Sequence, residues 1–250
     1  MARVRADLLL VSRGLVESRA KARAAIEAGG VCANGAVVEK ASDLVEENAA
    51  LEVEPAFPWV SRAGVKLAHA LEIFGVDPAG RICLDVGAST GGFTDVLLSR
   101  GAARVYAVDV GQGQLHAKLR ADARVVSLEQ TDARGLTRAL IAEPPTLVVC
   151  DVSFIGAAKA LAVPLALAAP RADLVTLIKP QFEAGPHKNA ILPETQAREA
   201  AQSALAQLEG LEGFRRVALA DSPIRGGDGN LELLAHFRQI EKRPGWGAGP

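Results

Sequence analysis

Residues 81–95 read Arg81-Ile-Cys-Leu-Asp85-Val-Gly87-Ala-Ser89-Thr-Gly91-Gly92-Phe93-Thr-Asp95, and this stretch decides the fold. A short apolar run ends at an acid. Three glycines follow within six residues, and then apolar residues resume at helical spacing. That order predicts a strand, a tight turn and a helix. Glycine lets the main chain come close to a ligand, and a helix opening near Gly92 offers unpaired N–H groups. The spacing is G-x-x-x-G-G, not the G-x-G-x-x-G of dinucleotide sites, and no Gly-Lys-Ser/Thr follows as in a phosphate loop.

Further apolar runs lie downstream at Arg104 to Asp109, Arg124 to Leu128, Leu147 to Val152 and Leu174 to Lys179. They do not alternate with polar residues, so each predicts a strand buried on both faces of a parallel sheet flanked by helices. Two later runs, around Arg216 to Leu219 and Leu231 to Leu234, complete a mostly parallel seven-stranded sheet. The class is α/β and Rossmann-like. Upstream, Arg62 to Phe74 reads as a helix that buries Val65, Ala68, Leu71 and Phe74, puts Lys66 to the side and stops at Gly75.

Ligands of open α/β sheets sit where the parallel strands end. Asp85 closes the first run, Asp109 the second, and Asp132 follows the third in Thr131-Asp132-Ala133. A carboxylate at 109 suits ribose hydroxyls, and the segment around Asp132 is placed to meet an adenine. One such acid is an ordinary cap or turn residue. Three of them beside a glycine-rich loop point to a nucleotide cofactor. The candidate set is Asp85, Gly87, Ser89, Gly91, Gly92, Phe93, Asp109 and Asp132. Nothing is set aside for a pyrophosphate, so S-adenosyl-L-methionine fits better than a dinucleotide.

The front of the chain differs in character. Residues 1–25 hold six basic side chains, Arg3, Arg5, Arg13, Arg19, Lys21 and Arg23, against two acidic ones, Asp7 and Glu17. Leu8, Leu9 and Val11 suit a short helix ended by Gly14, and Ser18 and Gly29 bracket a second. Val31 to Val38 reads as a hairpin about Asn34-Gly35, and Leu51 to Val53 as one more strand. Arg19 and Arg23 share a helix face and suit a phosphate backbone, although such a pair alone also reads as a solvated face. This order of elements resembles the S4 RNA-binding module over about residues 3–54. The resemblance implies a small α+β domain that grips structured RNA, chiefly ribosomal, with those six basic residues as its contacts. Pro55-Ala-Phe-Pro58 makes a stiff connector. The expected domains are residues 1–54 and 61–245, with 55–60 as linker.

Composition narrows the remaining classes. The 250 residues are 49% hydrophobic and 23% charged, ample for a core, and a net charge of −1 excludes a uniformly basic binder. Cys32, Cys83 and Cys150 are odd in number and form no CxxC pair, which indicates neither a disulfide framework nor a zinc ribbon. His69, His116, His187 and His236 show no metal-ligand spacing, so no metal is expected. The window Ala157 to Ala169 contains Lys159 and Pro164 and falls short of the ~20 residues that span a bilayer. No export signal stands out either. A soluble, cytoplasmic chain without a membrane role is expected. Oligomeric state leaves no signature.

Two strand ends carry further charge, Asp151 in Cys150-Asp151-Val-Ser-Phe154 and Lys179 in Ile178-Lys179-Pro180-Gln181-Phe182-Glu183, and Glu232 stands alone within an apolar segment. Lys66, Asp151, Lys179 and Glu232 resemble, in order and local setting, the Lys-Asp-Lys-Glu tetrad of FtsJ-like RNA 2'-O-methyltransferases. With the S4-like front end, and Trp59-Val-Ser-Arg62 leading to Lys66, the chain resembles the TlyA family over nearly its whole length. Where many members have Gly-Gly, this chain has Ala63-Gly64. The resemblance implies methyl transfer from S-adenosyl-L-methionine to a cytidine ribose 2'-hydroxyl of ribosomal RNA within ribosomal subunits. A 2'-hydroxyl needs its proton drawn away, and a lysine serves as base when desolvation or a second cation disfavours its charge. Lys179 is then the base, Lys66 the orienting cation, and Asp151 and Glu232 their supports. Two rivals remain. A base-modifying amino-methyltransferase calls for prolines and an aromatic after the fourth strand, where this chain has Asp151-Val-Ser-Phe154. A membrane-active haemolysin, a label some TlyA relatives carry, lacks a matching amphipathic segment.

Overall fold

The structure is a computed structural model that describes residues 2–185, 191–226 and 228–240. His187 and the far end of the expected 61–245 domain lie outside the described residues. Two compact units meet in the sequence between Ser61 and Arg62.

The first unit contains β1 (Arg3–Arg5), α1 (Ala6–Ser12), α2 (Arg19–Glu27), β2 (Val31–Ala33), β3 (Ala36–Val37), β4 (Leu44–Glu46) and β5 (Leu51–Val53). Ser18 caps α2 through its side chain, which accepts from Lys21 N at 3.3 Å. The hairpin joining β2 to β3 turns at Asn34 and Gly35, both with positive φ, as a primed two-residue turn requires. Leu10, Ala22, Ala25, Ile26 and Val31 form the small core. The antiparallel pair of β1 and β4 is not legible in the sequence, because strands of three residues are too short to carry a usable alternation.

The second unit begins with α3 (Ala63–Phe74) and continues through β6 (Ile82–Val86), α4 (Gly92–Ser99), β7 (Arg104–Val108), α5 (Ala117–Arg120) and β8 (Val125–Leu128). After these come β9 (Leu147–Cys150), α6 (Ala157–Leu167), β10 (Asp173–Ile178), α7 (Pro180–Glu183), α8 (Glu194–Glu209), β11 (Phe214–Asp221) and β12 (Leu233–Gln239). Among the described residues seven strands form one sheet in the order β11-β12-β10-β9-β6-β7-β8. Pairing is parallel from β10 to β8 and antiparallel for β11 and β12. Every residue of β9 and β10 is buried, as continuous apolar runs between two helical layers require. The strand order reverses between β6 and β9, and that switch point opens a crevice at their carboxyl ends.

Two expectations need correction. Lys66 does not stand aside from the buried face of α3. It is 5% exposed and buried with Leu67, Ala70 and Leu71, whereas Val65 and Phe74 are only partly covered. Glu232 does not lie within a strand either, since β12 starts one residue later. Ile178 is paired with Leu233, so antiparallel pairing brings the start of β12 to the carboxyl end of β10, where Lys179 follows. At the opposite end of these strands Asp173 accepts from Arg81, Arg238 and His236, each at 2.9 Å, and pins their register. Burial would push that carboxyl up, but the three partners outweigh it and hold it below the usual range.

Candidate active site

A cavity of about 490 Å³ opens at the carboxyl ends of β6, β7 and β9. Of the eight cofactor candidates, Gly87, Ser89, Asp109 and Asp132 line it. Asp109 organises the loops around it. Its Oδ2 accepts from Ser89 N at 2.8 Å and its Oδ1 from Gly111 N at 2.7 Å. Ser89 Oγ in turn donates to Gln114 Oε1 at 3.0 Å. Glu129 fastens the 113–115 turn by accepting from the N–H groups of Leu115 and Gln114, and those bonds draw its carboxyl below the usual range. Asp132 pairs with Arg134 at 2.6 Å, and that guanidinium holds its carboxyl at about 2.

The other four candidates do not reach the cavity. Asp85 is fully buried, and its Oδ2 accepts from Thr94 Oγ1 at 2.7 Å, closing the glycine loop from strand to helix. Burial pushes its carboxyl up to about 7, with the charges of Asp151 and Asp109 adding to the effect against the Thr94 hydrogen bond. Gly92 and Phe93 are packed into the first turn of α4. Gly91 has φ of 96°, and a Cβ there would lie 2.2 Å from Leu119 Cδ1 and 2.8 Å from Leu115 Cδ1. The missing side chain thus makes room for packing of the loop, a use of glycine distinct from contact with a ligand. The sequence pattern alone does not separate these two uses of glycine.

Lys66, Asp151, Lys179 and Glu232 form two pairs. Lys66 Nζ and Glu232 Oε2 stand 2.5 Å apart in a nearly dry setting. Lys179 Nζ and Asp151 Oδ1 stand 2.6 Å apart, and their side chains are 12% and 14% exposed. Asp151 also lines the cavity. Lys179 makes a further bond that the sequence did not announce, donating to Ser153 Oγ at 3.0 Å. Phe154, beside it, lines the cavity with φ of 66° and 91% exposure, its ring 5.1 Å from that of Phe182. Among the described residues no group of three or more His, Cys, Asp or Glu could hold a metal ion. Cys83 and Cys150 are buried, which pushes both thiols up to about 12.

In the first unit the basic residues are more engaged internally than the sequence suggests. Asp7 is fully buried, and both Arg5 and Arg19 hold it, each at 2.9 Å. The Arg5 guanidinium, with Arg19, keeps that carboxyl well below the usual range. Arg13 donates to the carbonyls of Ala49 and Glu47. Lys21 pairs with Glu17 at 2.7 Å. Arg23 is exposed and lies 4.0 Å from Glu27, and Arg3 opens β1 on the surface.

Fold and cavity together define a Rossmann-like methyltransferase with an S4 domain at its front. The FtsJ-like methyltransferase family matches residues 59–239, and the S4 domain matches residues 4–51. A Mycobacterium tuberculosis relative, named 16S/23S rRNA (cytidine-2'-O)-methyltransferase TlyA, is 45% identical over 94% of this chain and 90% of its own length. Hemolysin A of Brachyspira hyodysenteriae is 42% identical over 94% and 99%. A solved Streptococcus thermophilus structure with a provisional hemolysin label is 38% identical, with a TM-score of 0.72 over 97% of this chain and 90% of that one. The chain belongs to the TlyA family of FtsJ-like methyltransferases.

Proposed function

We propose that this enzyme moves a methyl group from S-adenosyl-L-methionine to the 2'-hydroxyl of a cytidine in ribosomal RNA, inside a ribosomal subunit or its assembly intermediate. The observation that carries the reading is the pair of lysine–carboxylate contacts, Lys66 with Glu232 and Lys179 with Asp151, at the carboxyl end of the sheet. Amine or base methylation has no evident use for two such lysines. The mycobacterial relative's printed activity and the S4 domain support the nucleic-acid substrate.

The cavity fits the cofactor in kind. Gly87 offers bare backbone, Asp109 has lone pairs left for ribose hydroxyls, and Asp132 and Thr131 flank the place for an adenine. Bound S-adenosyl-L-methionine supplies an electrophilic methyl group. This chain supplies the rest. Lys179 acts here as an uncharged amine: its Nζ lone pair takes the proton of the 2'-hydroxyl, while Asp151 and Ser153 direct the nitrogen. Lys66, anchored by Glu232, offsets negative charge growing on the ribose oxygen. Arg3 and Arg23 are the front-end side chains best placed to meet phosphates, while Arg5, Arg13, Arg19 and Lys21 shape the surface that presents them. No helix among the described residues is long and apolar enough to cross a membrane, and an enzyme of ribosomal RNA belongs in the cytoplasm.

Incubation with isotope-labelled cofactor and separate 30S and 50S subunits, followed by nucleoside digestion and mass spectrometry, tests the reading. Label on the ribose of a cytidine, lost in Lys179→Ala while cofactor affinity stays within about twofold, agrees with it. Label on a base, or Lys179→Ala activity within tenfold of wild type, overturns it.

A further inference from the structure

Two segments leave the sheet side by side at the site. One runs from Asp151 to Ala157 between β9 and α6, and the other is Lys179 with α7. They are fastened at both ends. Next to the sheet, Lys179 Nζ meets Asp151 and Ser153. Farther out, Glu183 Oε1 accepts from Ala157 N at 2.8 Å, and the rings of Phe154 and Phe182 close the span between. Gly156 admits the carboxylate, because a Cβ there would lie 2.8 Å from Glu183 Oε2. Gly156 itself is the N-cap of α6, and its hydrogen side chain cannot accept from the helix's free N–H groups. Glu183 does that instead, from another segment. Its carboxylate also complements the helix dipole. Burial pushes its carboxyl up, against the Ala157 hydrogen bond and Lys159.

We propose that Glu183 is a positioning residue for Lys179. By capping α6 it fixes how far the 151–157 segment stands from α7, and thereby the direction of the Lys179 nitrogen. A lysine stem has many rotamers, so the nitrogen points where its partners hold it. An ion pair with Asp151 and a hydrogen bond to Ser153 hold it on two sides. The direction left for the ribose hydroxyl follows from where those two oxygens stand. A displacement of ~1 Å at that point can cost on the order of 100-fold in rate. The inference rests on Lys179 being the base.

The experiment compares wild type, Glu183→Ala, Glu183→Gln, Gly156→Ala and Lys179→Ala. It measures kcat and KM on purified ribosomal subunits, and Kd for S-adenosylhomocysteine by calorimetry. Glu183→Ala should lower kcat by about tenfold or more, with KM and Kd nearly unchanged. Glu183→Gln, which keeps an acceptor oxygen for Ala157 N–H, should recover most of the loss. Gly156→Ala, which forces the carboxylate away from the other side, should reproduce the kcat defect and serves if Glu183→Ala does not fold. Three results overturn the inference: kcat of Glu183→Ala equal to wild type, a glutamine variant as impaired as the alanine variant, or a loss that falls on Kd rather than kcat. An active Lys179→Ala enzyme would instead remove the assignment of the base and is separately recognisable.

Discussion

Lys66 and Glu232 are separated by 166 residues of chain and meet at 2.5 Å, with side chains 6% and 3% exposed. One comes from the second turn of α3 and the other from the residue just before β12. Gly226 presses on the same carboxylate, since a Cβ there would lie 2.7 Å from Glu232 Oε1. Two ions in such a setting attract strongly only because both have lost their water, so the pair adds little net stability.

That asymmetry gives a first prediction. Lys66→Ala or Glu232→Ala alone leaves one buried charge unmatched and should destabilise the protein by roughly 3–5 kcal/mol in urea unfolding. The double variant Lys66→Met with Glu232→Leu should return most of that stability while methyl transfer stays abolished. A double variant as unstable as either single one would show that the pair holds the fold together.

A second prediction concerns pH. The Asp85 carboxyl is raised to about 7 in the folded chain by burial, whereas an unfolded aspartate titrates near 4. Between those values the folded form holds a proton that the unfolded form has released, so stability falls as pH rises from about 4 to about 7. Above 7 the folded chain carries a buried carboxylate, at a cost of a few kcal/mol. Asp85→Asn keeps an acceptor for Thr94 and removes that ionisation. The variant should melt above wild type at pH 8 and gain nothing at pH 4. Equal differences at both pH values would reject the account.

Much of the second unit was legible because parallel strands buried on both faces write themselves as uninterrupted apolar runs. The five parallel runs fall on observed strands to within two residues, whereas the run at Leu231 to Leu234 catches only the start of β12. The charged quartet came from family resemblance, which names residues but gives neither their pairing nor their distances. What stayed hidden depends on contacts distant in sequence. Lys66 reads as lying beside the face set by Val65, Ala68 and Leu71, because nothing near it in sequence announces a carboxylate 166 residues away. Ser153 and Glu183 look like ordinary loop and helix residues until the Lys179 and Ala157 segments are brought together. Asp85 reads as a ligand acid from its position, but period-two orientation turns it into the interior toward Thr94.

The front domain offers a third test, since Arg19 and Arg23 share a helix face and differ in partners. Arg19 holds the buried Asp7, whereas Arg23 faces the exposed Glu27 at 4.0 Å. Arg19→Ala should therefore lower the melting temperature, and Arg23→Ala should not. In subunit-binding titrations Arg23→Ala should reduce the slope of log K against log salt by about one, the share of a single phosphate contact. A slope unchanged in Arg23→Ala removes that arginine from the RNA interface.

The last prediction separates packing from ligand contact in the glycine loop. Gly91 combines φ of 96° with a space already filled by Leu119 and Leu115. Gly91→Ala meets both obstacles: a left-handed backbone costs an L residue about 1–2 kcal/mol, and overpacking adds about 1–3 kcal/mol. Trimming Leu119 to alanine relieves only the second. If Gly91 serves packing, the double variant Gly91→Ala with Leu119→Ala should bind S-adenosylhomocysteine more tightly than Gly91→Ala alone, because the loop carrying Gly87 and Ser89 settles back against Asp109. If instead the Gly91 backbone touches the cofactor, a methyl group there blocks the ligand whatever Leu119 becomes. Calorimetric affinity that stays equally poor in the single and double variants would return Gly91 to the cofactor-binding set.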